Sequence, residues 1–375
     1  MIILTNSKVI LKNQIIEKNI WINKGEIIDI TDEIDESAKI IDLQGLYLSP
    51  GFIDIHMHAR AGYDMMHGTK EALDTISSHA LKTGTTSFLA TTMTQSVDLT
   101  KKAITNAYDY QGQEKGAKVI GIHMEGPFIN QKYKGAQPGS YILEPTIENF
   151  KAIVDGKEDF IKLITIAPEI KGANALIEEL IARKITVSLG HTAATYDQVK
   201  DAVKQGLNHA SHTFNAMAPF THRDPATVGA IFDSEEIYAE LILDGLHVHY
   251  ASASILLKQK GIDKVVLISD SMEATGLGEG TYQLGGQYVS VKGKEARLED
   301  GTLAGSVISM NQAVMNACKY LGLPIYEAVR MASLNPAKSL NIEKLGAIKK
   351  GYIADLIAFD KNINIKFSMI NGEIK

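Results

Sequence analysis

The chain has 375 residues, of which 45% are hydrophobic and 22% are charged, and its formal net charge is −6. This length and apolar content exclude a short module or a disordered tail and suit one large domain with a small companion. The acidic balance argues against a nucleic-acid or membrane-surface binder, so we expect small-molecule partners. A single cysteine, Cys318, excludes an intrachain disulfide and predicts a reducing compartment, the cytoplasm.

Residues 1–50 predict a small sheet, because short apolar runs separated by polar turn signals show almost no helical spacing. The first apolar run is too short for a signal peptide, and no run approaches the roughly 18 apolar residues of a membrane span. Residues 341–375 return to strand-like patterns. We therefore expect both chain ends to form one small β-sandwich domain.

Residues 51–340 predict a (β/α)8 TIM barrel, because apolar runs alternate with segments of helical spacing. The predicted strands are 52–55, 86–90, 118–122, 161–166, 185–189, 207–211, 238–243 and 264–268. Helical spacing is clearest at 70–82, 174–183 and 196–205. A glycine-rich stretch at 276–305 predicts hairpins inserted before the last barrel helix, which is expected near 307–321.

Polar side chains follow several of the predicted strands, at the end of a barrel where active sites lie. These residues are His56, His58, Glu125, His191, His212 and Asp270. Imidazole and carboxylate groups are the ligands that zinc and other borderline divalent ions prefer. The sequence therefore predicts a metal centre at this end of the barrel.

Some of these residues also have a purely structural interpretation. His56 and His58 fall on one side of an extended strand, which favours metal ligation over a hydrogen-bonded core pair. The spacing alone is weak, because His247 and His249 repeat it. Asp270 closes an apolar run and could instead cap a following helix.

The remaining candidates are supported by their neighbours in the chain. Glu125 precedes a Gly-Pro pair, which ends the strand and holds the carboxylate at a turn of fixed geometry. The alternative interpretation is that Glu125 is a solvated carboxylate on a loop. Because Gly190 has no side chain, a ligand or the backbone can approach closely beside His191. The alternative interpretation is that His191 is a buried structural histidine. Of the two histidines at the sixth strand, His212 is the better ligand candidate because it lies at the strand end. We expect His209 to lie behind the ligands.

Together these segments resemble the amidohydrolase superfamily, and within it the N-acetylglucosamine-6-phosphate deacetylase family, over nearly the whole chain. The resemblance is carried by residues 50–58, 123–128, 188–191, 212–217, 244–248, 269–270 and 303–306. The Glu-Gly-Pro segment is the most discriminating, because many superfamily members use a lysine-derived bridge instead.

The resemblance implies a role for each matched residue. It implies that Glu125, His191 and His212 hold a principal divalent metal, and that His56 and His58 hold a second ion bridged by Glu125. Zinc is expected, with iron or manganese as alternatives, and one or two ions per subunit.

The resemblance also implies an amino-sugar phosphate as substrate and a homodimer as the assembly. It assigns Asp270 as the acid and base, places Asn215, Ala216 and Leu303 near the sugar, and places Arg223 and His247 at the phosphate or hydroxyls, one of them from a partner subunit. Some family members have a carbonyl-polarising histidine in the segment that here contains Ala136 and Gln137, and Gln137 could give only a neutral hydrogen bond.

The expected reaction is hydrolysis of the N-acetyl amide of N-acetyl-D-glucosamine 6-phosphate, in which Asp270 accepts a proton from water and delivers it to the sugar nitrogen. Two enzymatic alternatives stay open, a deacetylase for the galacto isomer and a cyclic-amide hydrolase. A catalytically silent barrel that binds sugar phosphates is the non-enzymatic alternative, because a fold alone does not guarantee chemistry.

Overall fold

The structure is a computed structural model that describes residues 1–375. The first fifty residues form strands because buried isoleucines alternate with polar residues; in the fourth strand, for example, Ile20 and Ile22 are buried on one face. The strands are β1 (Ile2–Thr5), β2 (Lys8–Ile10), β3 (Ile15–Ile16), β4 (Asn19–Asn23), β5 (Glu26–Thr31), β6 (Lys39–Asp42) and β7 (Tyr47–Pro50).

The next elements alternate between strands and helices. They are β8 (Phe52–Met57), β9 (Ala59–Arg60), β10 (Tyr63–Asp64), α1 (Lys70–Leu81), β11 (Thr85–Thr92), α2 (Val97–Tyr110), β12 (Lys118–Glu125), α3 (Ile147–Val154), β13 (Ile161–Ile166), α4 (Ala173–Ala182), β14 (Thr186–Leu189), α5 (Tyr196–Gln205), β15 (His209–Ala210), α6 (Ala226–Phe232), β16 (Tyr238–Ile242), α7 (Tyr250–Lys260) and β17 (Val265–Ile268). Short 3-10 helices lie at Met65–His67, Gln131–Tyr133, Gly139–Tyr141, Glu158–Phe160 and Ile262–Lys264.

Eight parallel strands, β8 and β11 to β17, lie side by side in chain order. The backbone N–H of Asp270 donates to the carbonyl oxygen of His56 at 2.8 Å and closes the ring between the segment after β17 and β8. The predicted (β/α)8 barrel is therefore confirmed. Strand β15 is shorter than the predicted 207–211, because the N–H of Leu207 bonds to the carbonyl of Ala202 at the end of α5.

Local signals in the sequence explain where the barrel helices begin and end. Helix α5 starts after Thr195, whose side chain accepts from the N–H of Gln198 while the Gln198 side chain bonds back to Thr195. It ends at Gly206, which has a φ of 115° that only glycine adopts readily. No helix of the structure combines the length and the apolar composition of a membrane span.

The last elements are β18 (Gly280–Leu284), β19 (Gln287–Lys292), β20 (Glu295–Arg297), α8 (Met310–Leu321), α9 (Ile325–Ala332), α10 (Leu334–Ser339), β21 (Leu356–Phe359), β22 (Ile365–Ile370) and β23 (Glu373–Ile374). Strands β18 to β20 form the antiparallel insertion expected at 276–305. Leu284 and Val289 of this insertion pack against Met93 and Met272 of the barrel loops, so the insertion covers the C-terminal end of the barrel.

Two further sheets have the strand orders β5-β4-β1-β6 and β23-β22-β21-β7-β2-β3, and both chain ends contribute strands to the second. Strand β7 pairs with β21, where Leu48 lies opposite Ala358. Leu4 and Ile20 of the first sheet share a buried cluster with Leu48 and Met369 of the second. The two sheets thus form a sandwich, while the domain limits 1–50, 341–375 and 51–340 stay a prediction.

Candidate active site

Six predicted site residues lie together in one buried cluster at the C-terminal end of the barrel. They come from the ends of β8 and β12, and from the segments that follow β14, β15 and β17. The six are His56, His58, Glu125, His191, His212 and Asp270. The barrel topology therefore brings together residues separated by up to 214 positions, from His56 to Asp270.

Glu125 lies at the centre of the cluster and contacts four histidines through its two oxygens. Its Oε1 lies 3.1 Å from His191 Nε2, 2.9 Å from His212 Nε2 and 3.3 Å from His56 Nε2. Its Oε2 lies 3.1 Å from His58 Nε2. One carboxylate thus joins the trio Glu125, His191 and His212 to the trio Glu125, His56 and His58, and each trio brings its ligand atoms within 4.8 Å of one another.

The first trio has the donor atoms that a cation requires. His191 Nδ1 lies 2.9 Å from the carbonyl oxygen of Tyr133, so this nitrogen carries a proton and Nε2 is the atom that can offer a lone pair to an ion. That lone pair faces both His212 Nε2 at 3.1 Å and the Glu125 carboxylate. Electron pairs that converge in this way fit a divalent metal ion better than a set of hydrogen bonds.

The second trio is oriented by Glu240, a residue that the sequence interpretation missed. Glu240 Oε2 lies 2.8 Å from His56 Nδ1, which places the proton there and leaves the buried Nε2 without a hydrogen-bond partner. The same oxygen accepts the backbone N–H of His212 at 3.0 Å, and Oε1 lies 3.1 Å from His209 Nε2. His209 therefore lies behind the cluster, as expected from the strand-end argument.

The backbone at three of the site residues is unusual. His191, His212 and Asp270 have φ angles of 48°, 27° and 47°, in the left-handed region that non-glycine residues rarely adopt. Gly190 is also required, because a Cβ there would lie 2.7 Å from Thr165 Cγ2. Such strain costs on the order of 1–3 kcal/mol for each residue and is found at sites whose geometry the surrounding fold imposes.

Two carboxylates of the site are held in the charged form. Without a bound ion the histidines carry the protons that an ion would displace: burial alone would raise the pKa of Glu125, but the charge of His56 and hydrogen bonds from His191 and His212 hold it well below its usual value. Burial also opposes ionisation of Asp270, yet His56 and His58 lower its pKa, and their Nε2 atoms lie 3.6 and 3.4 Å from Asp270 Oδ1. Asp270 is therefore a base at neutral pH.

A cavity of about 350 Å³ opens onto this cluster. Most of the predicted substrate residues line it, namely Ala136, Gln137, Asn215, Ala216, His247 and Leu303. Lys132 and Tyr133 also line the cavity but were not predicted; the run Gln-Lys-Tyr-Lys after the Glu-Gly-Pro segment is the signal that could have indicated them. Leu303 and Leu284 belong to the inserted hairpins, which therefore contribute a wall of the site.

Two of the predicted substrate residues, Gln137 and Arg223, differ from the others in their contacts. The side chain of Gln137 is buried, donates to Glu125 Oε2 at 2.5 Å and accepts the N–H of Thr94 at 2.7 Å. These contacts orient Glu125, and the carbonyl-polarising role of Gln137 stays a prediction. Arg223 is exposed and does not line the cavity of its own chain.

Comparisons with known proteins agree with this geometry. A model of the amidohydrolase family matches residues 47–375. An N-acetylglucosamine-6-phosphate deacetylase of Lysinibacillus sphaericus is 37% identical over 361 residues, covering 96% of this chain and 93% of that protein. The Bacillus subtilis enzyme of the same name is 36% identical over 375 residues, covering 98% and 95%.

A solved structure shows the same relationship. The crystal structure of N-acetylglucosamine-6-phosphate deacetylase from Pasteurella multocida has a TM-score of 0.94 at 33% identity and covers 100% of this chain and 99% of that chain. The chain therefore belongs to the amidohydrolase family and, within it, to the N-acetylglucosamine-6-phosphate deacetylases.

Proposed function

We propose that the chain hydrolyses the N-acetyl amide of N-acetyl-D-glucosamine 6-phosphate to D-glucosamine 6-phosphate and acetate, in amino-sugar metabolism. One observation carries the proposal: Glu125, His191, His212 and Asp270 share one cavity at the end of the barrel. The relatives named above are enzymes for this reaction, and the chain matches them over nearly its full length.

The residues of the cluster fit a divalent metal ion, and we propose zinc, with iron or manganese as alternatives. Glu125, His191 and His212 would hold the principal ion, and His56, His58 and Glu125 a second one. An ion bound there polarises a carbonyl group and lowers the pKa of water. Glu240 and the carbonyl of Tyr133 fix the ring orientation of two of these ligands.

Asp270 supplies the proton transfers. Its carboxylate is buried beside His56 and His58 at the floor of the cavity and is ionised at neutral pH. It accepts a proton from the attacking water and then delivers that proton to the sugar nitrogen, because an amine leaves far more readily than an amide anion. The carboxylate is regenerated in each cycle.

The other end of the substrate requires an anion-binding group. His247 lines the cavity, and its Nδ1 is held 2.7 Å from Asp244 Oδ2, so its Nε2 is free for a hydroxyl or phosphate oxygen. Arg223 is exposed, and we propose that it completes the phosphate site of a second copy in a homodimer. With one cysteine in the chain, the cytoplasm is the proposed compartment.

The test is acetate release from purified, metal-analysed protein. The substrates are N-acetylglucosamine 6-phosphate, its galacto isomer and unphosphorylated N-acetylglucosamine. We expect the first to have the highest kcat/KM. Preference for the galacto isomer would replace the proposed substrate, and a protein that holds metal but releases no acetate from any of them would refute the activity.

A further inference from the structure

Strand β13 contributes none of the six clustered residues, yet the loop that follows it carries a carboxylate that contacts two loops of the site. Glu169 Oε1 accepts the side-chain N–H of Asn130 at 2.8 Å and the backbone N–H of Ala193 at 2.7 Å. Its Oε2 accepts the hydroxyl of Thr192 at 2.5 Å. One carboxylate thus joins the loop after β12 to the loop after β14, which carries the proposed ligand His191.

The loop after β12 positions both the backbone and the ring of His191. The backbone N–H of Asn130 donates to the carbonyl oxygen of His191 at 2.9 Å. The carbonyl oxygen of Tyr133 lies 2.9 Å from His191 Nδ1, and the Tyr133 N–H donates to the Asn130 carbonyl at 3.0 Å. Because Glu169 bonds to Asn130, it supports both contacts to His191.

The other contacts of Glu169 lie next to a strained residue. His191 has a φ of 48°, a conformation that persists only where the surrounding structure imposes it. Thr192 and Ala193 follow it directly, and both donate to Glu169. The Thr192 hydroxyl also accepts the N–H of Ala194 at 3.0 Å. Hydrogen bonds to a carboxylate are stronger than those between neutral groups, so these contacts can offset the backbone strain.

Glu169 does not line the active-site cavity, and none of its three donors is a charged side chain. It therefore acts on the loops and not on a ligand. We propose that Glu169 is the positioning residue for His191 and thereby sets the affinity of the principal metal site. A ligand that is already held in place loses less conformational freedom when the ion binds. The inference rests on the metal site proposed above and adds a residue outside it.

The test is a zinc titration of the metal-free protein in competition with a chelator, on wild type, Glu169→Ala and Glu169→Gln. We expect Glu169→Ala to bind the principal zinc ion roughly 10–100-fold more weakly, the usual cost of losing an outer contact of a metal ligand. Glu169→Gln keeps one oxygen for Asn130 and Ala193 but turns an amide nitrogen toward Thr192. Its zinc affinity should therefore fall by less, about three- to tenfold.

Asn335→Ala is the matched control, because this buried side chain also joins backbone groups but lies at the opposite end of the barrel. Its Nδ2 donates to the carbonyl oxygens of Ile262 and Val265, both at 2.7 Å, where β17 begins. We expect Asn335→Ala to lower the unfolding temperature of the metal-free protein and to leave zinc affinity unchanged. A merely structural role of Glu169 would give the same result.

Wild-type zinc affinity in a Glu169→Ala variant that is folded by circular dichroism overturns the positioning role. An equal loss of affinity in Asn335→Ala also overturns it, because the effect would then be one of general stability. If Glu169→Ala does not fold, Glu169→Gln decides, and wild-type affinity in that variant overturns the proposal. These outcomes leave the deacetylation untouched, because no substrate is present. A wild-type chain that binds no zinc refutes the metal site and this role together.

Discussion

Replacing Glu240 should weaken metal binding although this residue contacts no proposed ion. Without a bound ion its pKa is held well below the usual value: burial would raise it, but the charge of protonated His56 and a hydrogen bond from His209 outweigh burial. A carboxylate only accepts hydrogen bonds, so Glu240 places protons on His56 Nδ1 and His209 Nε2. An ion at the proposed metal site would displace the second proton of His56 and bind the lone pair of Nε2.

The magnitude follows from these contacts. Glu240→Ala would leave three buried donors without an acceptor, on His56, His209 and the backbone of His212. At about 1–3 kcal/mol each, the loss is roughly 3–9 kcal/mol. That approaches a typical total stability of about 5–15 kcal/mol, so the alanine variant risks unfolding. Glu240→Gln keeps the size and one acceptor oxygen and is the informative change.

We expect Glu240→Gln to bind metal roughly 10–100-fold more weakly than wild type, the usual cost of removing a partner of a ligating histidine. The assay is competition with a chelator of known affinity, followed by elemental analysis of the protein fraction. Glu235→Gln, an exposed carboxylate on the preceding loop, is the control. Wild-type metal affinity in a folded Glu240→Gln variant would refute the orienting role.

The remaining predictions concern catalysis, substrate binding and thiol chemistry. Asp270→Asn should retain metal but lose on the order of 10²–10⁴-fold in kcat, measured by acetate release; near-normal kcat would remove Asp270 from the mechanism. Arg223→Gln should raise KM far more for phosphorylated than for plain N-acetyl sugars, and equal effects on both would argue against phosphate recognition. Burial raises the pKa of Cys318 to about 11, so iodoacetamide at pH 8 should label it far more slowly than an unperturbed thiol; labelling at the rate of free cysteine would contradict its burial.

The sequence was sufficient to predict the barrel and to select the six clustered residues. The reason is geometric: parallel strands of a barrel end at the same side, so polar residues that follow apolar runs must converge. Glu240 was missed because it lies inside a strand and not at its end. A single carboxylate in the apolar run from Tyr238 to Ile242 was the available signal, since a buried charge requires a partner.

Other features depend on distances that no local pattern encodes. Gln137 bonds to Glu125 only because a loop folds back over the strand end, and the sequence suggested a contact to substrate instead. Arg60 follows the proposed ligands His56 and His58 between two alanines, where nothing in the sequence distinguishes a buried guanidinium from a surface one. Burial of such a residue depends on packing against other parts of the chain, here helix α1, which contacts β9, the strand that contains Arg60.

The pairing of β7 with β21 has a consequence during protein synthesis. Strand β7 ends at Pro50 and its partner begins at Leu356, so about three hundred residues must leave the ribosome before the two can join. At about 5–20 residues per second, the early strand waits for roughly 15–60 s with one hydrogen-bonding edge uncovered. During that interval the nascent amino-terminal segment exposes a strand edge that chaperones bind. The speed of translation therefore affects the yield of folded protein.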